Sequence, residues 1–155
     1  MTEKKEEVKA MPYECEKKWV GVEHAALTVY TLHPRFRGNT LLVYLYLLKN
    51  HNRSKGYSYP SFDDMELQLN LSRDVISDSI TLLRELEMIN VFKRGRRKSH
   101  AYTFNKLIED EVEFISRYQE AVPNYEKKLA LKQKMEQKMA EFDQLIPVES
   151  EKSIS

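Results

Sequence analysis

Cysteine is almost missing from this chain. Cys15 is the one thiol in 155 residues, so no disulfide can form within it, and a reducing, cytoplasmic setting is expected. Glycine is scarce as well, at four, and none sits in a phosphate-cradling loop pattern. No apolar run approaches the roughly 20 residues of a membrane-spanning helix, which argues against a membrane protein. The opening MTEKKEEVKA is charged where a secretory signal has its apolar stretch, so export is not expected. Charge of one sign is lacking too. With 25 Lys and Arg against 24 Asp and Glu the net charge is +1, which excludes attraction of nucleic acid by overall basicity. Any cationic footprint has to be local.

The combinations that catalysis needs are absent as well. His24, His33, His51 and His100 are scattered, with no cysteine or carboxylate at metal-ligand spacing, so neither a zinc site nor any other metal site is expected. Asp63 and Asp64 are adjacent, and neighbours on a helix point apart, which suits capping better than metal binding. Cys15 has no obvious base near it. The expectation is a protein that is no enzyme and carries no cofactor.

What the chain does have is 41% hydrophobic and 32% charged residues, enough for one modest core beneath a highly charged surface. Residues 1–18 are rich in Lys and Glu and read as a flexible tail. From Trp19 to Pro34, Val22, Ala25, Ala26, Val29, Tyr30 and Leu32 roughly follow helical spacing, and a short helix packing on the next one is expected. Asn39 is placed to cap a helix running through about Asn50. Leu41, Leu42, Tyr44, Leu45 and Leu48 would form its broad apolar face, with Val43 and Leu47 beside it. HNRSKGYSYP follows as loop chemistry, with one very short strand at Tyr57–Tyr59.

The middle of the chain is the most informative part. Ser61 caps a second helix, with Asp64 three residues on and Phe62, Met65, Leu67 and Leu69 as the apolar side. Asn70 suits the left-handed residue that ends it. After Leu71, Ser72 caps a third helix, RDVISDSITLLRELE, whose apolar stripe is Ile76, Ile80 and Leu83 with Val75, Leu82 and Leu86. The opposite side carries Arg73, Asp74, Ser77, Asp78, Thr81, Arg84 and Glu85. This helix, about 20 Å long, fits a DNA major groove about 12 Å wide. Ile89–Phe92 and Ala101–Phe104 then read as strands around KRGRRKSH, in which Gly95 can make the bend.

Two helices with a tight turn between them, followed by a basic hairpin, suit duplex DNA. Ser72, Arg73 and Ser77 stand where free amides and the helix dipole favour a phosphate. Lys93, Arg94, Arg96, Arg97 and Lys98 crowd six positions and can neutralise phosphates or reach into a minor groove. Asp74 and Asp78 oppose phosphate, and could accept from cytosine N4 or keep non-specific affinity low. The bland reading of the hairpin loop is a solvated charge run.

The run YPSFDDMELQLNLSRDVISDSITLLRELEMINVFKRGRRKSHAYTF resembles the winged helix-turn-helix domains of bacterial, plasmid and phage DNA-binding proteins. Ser61, Leu71, Ser72, Arg73, Ile76, Ile80, Leu83 and Ile89 fall on the recurrent pattern of those domains. One departure stands out. Such domains usually carry glycine just before the first wing strand, where this chain has Glu87, Met88 and Ile89, and a positive φ at Glu87 would cost roughly 1 kcal/mol. The segment from Trp19 to Asn50 is similar to the lead-in of phage and plasmid replisome organisers and replication initiators.

The resemblance implies a mainly α fold, a winged helix-turn-helix with a small β-hairpin wing over residues 19–105. A helical extension is expected over 106–146 and a flexible tail over 147–155. In the extension, Leu107, Ile108, Val112, Ile115, Tyr118 and Val122 would share a helix face until Pro123 breaks it. Asn124 would then cap a last helix reaching about Leu145, with Tyr125, Leu129, Met135, Met139 and Phe142 on one stripe. That stripe suits a self-packing hairpin or a homodimer. The DNA-contacting set implied is Arg73, Ser77, Thr81 and Arg84 in the groove, with Ser72, Lys93, Arg94, Arg96, Arg97 and Lys98 on phosphate or in the wing. A transcriptional regulator is the first reading. A phage or plasmid replication or partition protein binding origin repeats is the second, and an adaptor that binds protein through the same fold is the third.

Overall fold

The computed structural model describes residues 11–15, 18–139 and 147–148. The tails expected over 1–18 and 147–155 fall mostly outside these residues, as does Phe142. The chain is mainly helical with a small four-stranded antiparallel sheet. No helix among the described residues is long and apolar enough to cross a membrane.

The lead-in forms a short helix, α1 (Ala25–Thr28), and a 3-10 turn at Tyr30–Leu32. Ala25, Ala26, Val29, Tyr30 and Leu32 are all buried in the common core. Next comes α2 (Gly38–Lys49). It starts two residues earlier than the sequence suggests: Arg37 is the extended N-cap residue, and Asn39 lies inside the first turn without a capping role. Its fully buried face is also rotated from the expected one. Thr40, Val43, Tyr44 and Leu47 point inward, Leu41, Leu45 and Leu48 are half-buried, and Leu42 is 40% exposed. An almost uniformly apolar helix has no periodic signal to say which side wins, so packing on its neighbours decides.

Two strands of two residues each, β1 (His51–Asn52) and β2 (Tyr57–Ser58), flank a turn in which Gly56 takes φ +78°. Then α3 (Phe62–Leu69) opens with a complete capping box. The Ser61 hydroxyl accepts from the Asp64 N–H at 3.0 Å, and the Asp64 carboxylate accepts from the Ser61 N–H at 3.3 Å. Asn70 closes it at φ 53°, ψ 43°, in the left-handed region expected of it. Met65 is the one fully buried side chain of α3, while Leu67 is 77% exposed, so it does not join the apolar side.

α4 (Arg73–Glu85) begins two residues after Asn70, capped by the Ser72 hydroxyl accepting from the Val75 N–H at 3.3 Å. Ile76, Ile80, Leu82 and Leu83 are buried, with Leu86 following, as the spacing predicts. β3 (Ile89–Phe92) and β4 (Ala101–Phe104) pair antiparallel, Ile89 opposite Phe104 and Phe92 opposite Ala101. The sheet order is β1-β2-β4-β3, with Ser58 opposite Tyr102.

The C-terminal part departs most from expectation. Residues 105–110 are not helical, so Leu107 and Ile108 belong to no helix face. The helix is α5 (Glu111–Arg117), capped by Asp110, and it buries Phe114, while Val112 points to solvent. Pro123 does not break the chain into two helices. After a 3-10 turn at Gln119–Ala121, α6 (Val122–Lys138) carries Pro123 in its first turn, where the missing N–H would have had no helical partner. Asn124 is therefore inside α6 rather than capping it. Its side-chain amide donates to the Leu32 carbonyl at 2.9 Å, tying α6 to the lead-in. Leu107, Phe114 and Ala121 share one core with α1, α2 and α4.

Candidate nucleic-acid interface

The outward side of α4 and the loop between β3 and β4 hold the residues singled out above. Periodicity explains the first. With Ile76, Ile80 and Leu83 fixed inward, Ser72, Arg73, Ser77, Thr81 and Arg84 are left exposed on the helix, with Asp74 and Asp78 among them. The Thr81 hydroxyl donates to the Ser77 carbonyl at 3.0 Å, which leaves its lone pairs outward. Arg84 has no bonded partner among the described residues and is exposed. Arg73 is engaged: its guanidinium lies 5.0 Å from the Phe62 ring centre and 3.6 Å from the Asp63 carboxylate, which draws it toward the start of α3. At the far end, Glu85 is bound by Arg35 at 2.8 Å, so its charge is compensated.

The hairpin loop divides its five cations by environment. Lys93, Arg96, Arg97 and Lys98 are exposed. Gly95 at φ +120° and Arg97 at φ +62° make the bend, the first a conformation that suits glycine and the second a left-handed arginine. Arg94 is half-buried instead. It lies 4.5 Å over the Tyr59 ring and 5.8 Å from that of Tyr57, and it donates to the Ser99 hydroxyl at 3.1 Å. Ser99 in turn donates to the Tyr59 carbonyl at 2.7 Å, so Arg94 and Ser99 lash the loop to the segment between β2 and α3.

Sequence reasoning gave no role to Lys55, Tyr57, Tyr59 or Phe92, which the sheet brings beside these cations. Lys55 lies 4.4 Å over the Tyr59 ring. A groove of about 530 Å³ runs between Phe92 and Tyr57 and is edged by Lys55, Lys93 and Lys98. The signal was out of reach, because β2 is two residues long and its partner β4 lies more than forty positions away. No group of three or more His, Cys, Asp or Glu side chains that could hold a metal occurs among the described residues.

Comparison of the chain with known protein families, with curated proteins and with solved structures finds no match.

Proposed function

We propose that the chain is a winged helix-turn-helix protein that binds double-stranded DNA and acts as a transcriptional regulator. In this reading α4 lies in the major groove and the loop 93–100 forms the wing, set on the phosphate backbone or in the adjacent minor groove. One observation carries it. A capped helix with a fully committed inner face turns a polar outer face, Ser77, Thr81 and Arg84, to solvent, and a hairpin bearing four exposed cations follows only three residues after it. A local cluster of this kind supplies the attraction that a net charge of +1 cannot.

A single small domain has a limited DNA footprint, and pairing of two copies is the common way to extend it. α6 supports that extension, because Leu131 and Met135 are more than half exposed and no residue of the helix is fully buried. Light scattering at micromolar concentration is expected to give a dimer mass, and a monomer would remove this element.

The test of DNA binding is fluorescence anisotropy on a mixed-sequence duplex at low and physiological salt. Wild type is expected to bind with a steep salt slope, and Arg96→Ala/Arg97→Ala to reduce that slope by about two phosphates. No binding at low salt would defeat the reading.

A further inference from the structure

The outer face of the sheet carries two rings, Tyr57 and Phe92, that duplex binding by α4 and the wing does not use, beside Lys93 and Lys98, which it shares with the wing. On β3 and β4 the register puts Asn90 opposite Thr103 and Phe92 opposite Ala101, on the side away from Ile89 and Tyr102. Tyr57 lies across β4 from this pair, and the groove floor is made by Ala101 and Thr103. β2 and β3 flank β4, so their side chains stand about 10 Å apart. A planar base between two rings needs about 7 Å at the ordinary stacking interval of about 3.4 Å. Small residues below and rings to either side therefore leave room for a base.

The rings are not equivalent. Tyr57 already meets the Tyr59 ring edge-on at 5.8 Å and has the Arg94 guanidinium 5.8 Å from its centre, whereas Phe92 is 53% exposed and has no ring or cation partner among the described residues. Lys55, Lys93 and Lys98 edge the same groove, and no carboxylate lines it. An apolar or acidic partner would leave either these ammonium groups or the bare ring unmatched. A strand with free bases matches both, through stacking on the ring and phosphates on the lysines. A duplex does not, since its bases are stacked inside and cannot reach Phe92.

We propose that this groove binds an unpaired DNA strand, with a base stacked on Phe92 and the backbone held by Lys55, Lys93 and Lys98. The strand binding stands on the groove alone. Its assignment to DNA rather than RNA rests on the reading of α4 given above.

The test is anisotropy of labelled oligothymidine, about twelve nucleotides long, beside the mixed duplex and an oligouridine of equal length. Phe92→Ala is expected to weaken oligothymidine binding about tenfold while leaving duplex binding unchanged, and Phe92→Tyr, which keeps a ring, is expected to restore it. The thermal midpoint of Phe92→Ala, read by circular dichroism, should match wild type because the ring is half in solvent. An equal loss of duplex and oligothymidine binding, or no loss of either, would overturn the groove. Tighter binding of oligouridine than oligothymidine would overturn the choice of DNA. Oligothymidine binding without duplex binding would sink the α4 reading and leave the groove standing.

Discussion

The hydroxyl of Tyr30 accepts a hydrogen bond from the backbone N–H of Ile108 at 3.0 Å, joining segments 78 positions apart. The ring of Tyr30 is buried and meets Phe114 edge-on at 4.8 Å between centres. Lead-in and C-terminal segment thus share one buried contact. Burial also pushes the Tyr30 phenol above its usual pKa of 10.0, so it stays protonated throughout the physiological range.

Removing only that hydroxyl, Tyr30→Phe, leaves the Ile108 N–H short of a partner and is expected to cost about 1–2 kcal/mol. Tyr30→Ala also opens a cavity against Phe114 and Phe36 and should cost about 3–5 kcal/mol. Urea unfolding measures both. A Tyr30→Phe protein as stable as wild type would show that the hydrogen bond contributes nothing net.

Glu87 sits at φ 54°, where an L-residue is strained. Its carboxylate pairs with Arg117 at the surface. Glu87→Gly relieves roughly 1 kcal/mol of strain and gives up an exposed ion pair that contributes at most about 1 kcal/mol. The expected result is stability between that of wild type and about 1 kcal/mol above it. Glu87→Val, with a β-branched side chain in the same conformation, should lose about 1–2 kcal/mol. A glycine variant clearly weaker than wild type would mean the ion pair outweighs the strain.

Capping chemistry made the middle of the fold legible. Ser61, Asn70 and Ser72 mark helix ends by local hydrogen bonding and by tolerance of the left-handed region, and all three take the expected positions. The strain at Glu87 could be anticipated only from the resemblance, which puts a glycine just before the first strand of the hairpin. Face and pairing were harder to read. α2 is apolar nearly all round, so the choice of Val43 and Leu47 over Leu42 depends on neighbours distant in sequence. Pro123 reads as a break because proline blocks a helix interior, yet it is equally at home in a first turn. In the candidate site, the exposure of Ser77, Thr81 and Arg84 follows from periodicity alone, whereas the stacking of Arg94 on Tyr59 requires a strand pairing that two residues cannot announce.

Arg94 and Arg96 should therefore separate stability from binding, although they lie two positions apart in one basic run. Arg94→Ala removes a cation stacked on tyrosine and a donor to Ser99, and a loss of about 1–2 kcal/mol in urea unfolding is expected. Arg96→Ala removes an exposed charge and should stay within about 0.5 kcal/mol of wild type. Equal effects on stability would mean that Arg94 is no more structural than its neighbour.

His33 predicts an acid sensitivity. Its side chain is 3% exposed, Nδ1 accepts from the Arg35 N–H at 3.2 Å, and Nε2 lies 3.4 Å from the Glu120 carboxylate. Burial lowers its pKa below the ordinary 6.5, helped by Arg35 and opposed by Glu120 and Glu85. The unfolded chain then takes up this proton more readily than the folded one. Stability from His33 is fully present above about pH 6.5 and is lost as pH falls through the lowered folded value. His33→Asn, which keeps an acceptor near Nδ1, should show a smaller drop in thermal midpoint between about pH 7 and pH 5. Equal drops in the two proteins would acquit His33.

α6 is 17 residues long, about 25 Å at 1.5 Å per residue. The contacts that hold it to the body end near Lys132: Asn124 and Lys128 donate to the lead-in carbonyls of Leu32 and Thr28, and Lys128 and Lys132 pair with the Glu111 carboxylate. It is thus a ruler fixed at one end. In a pair of chains joined along it, sliding one helix by seven residues would move the two α4 helices about 10 Å relative to each other, the length of about three base pairs. In the proposed reading, the spacing between the two halves of a target site would then be written in the register of a helix outside the DNA-contacting set.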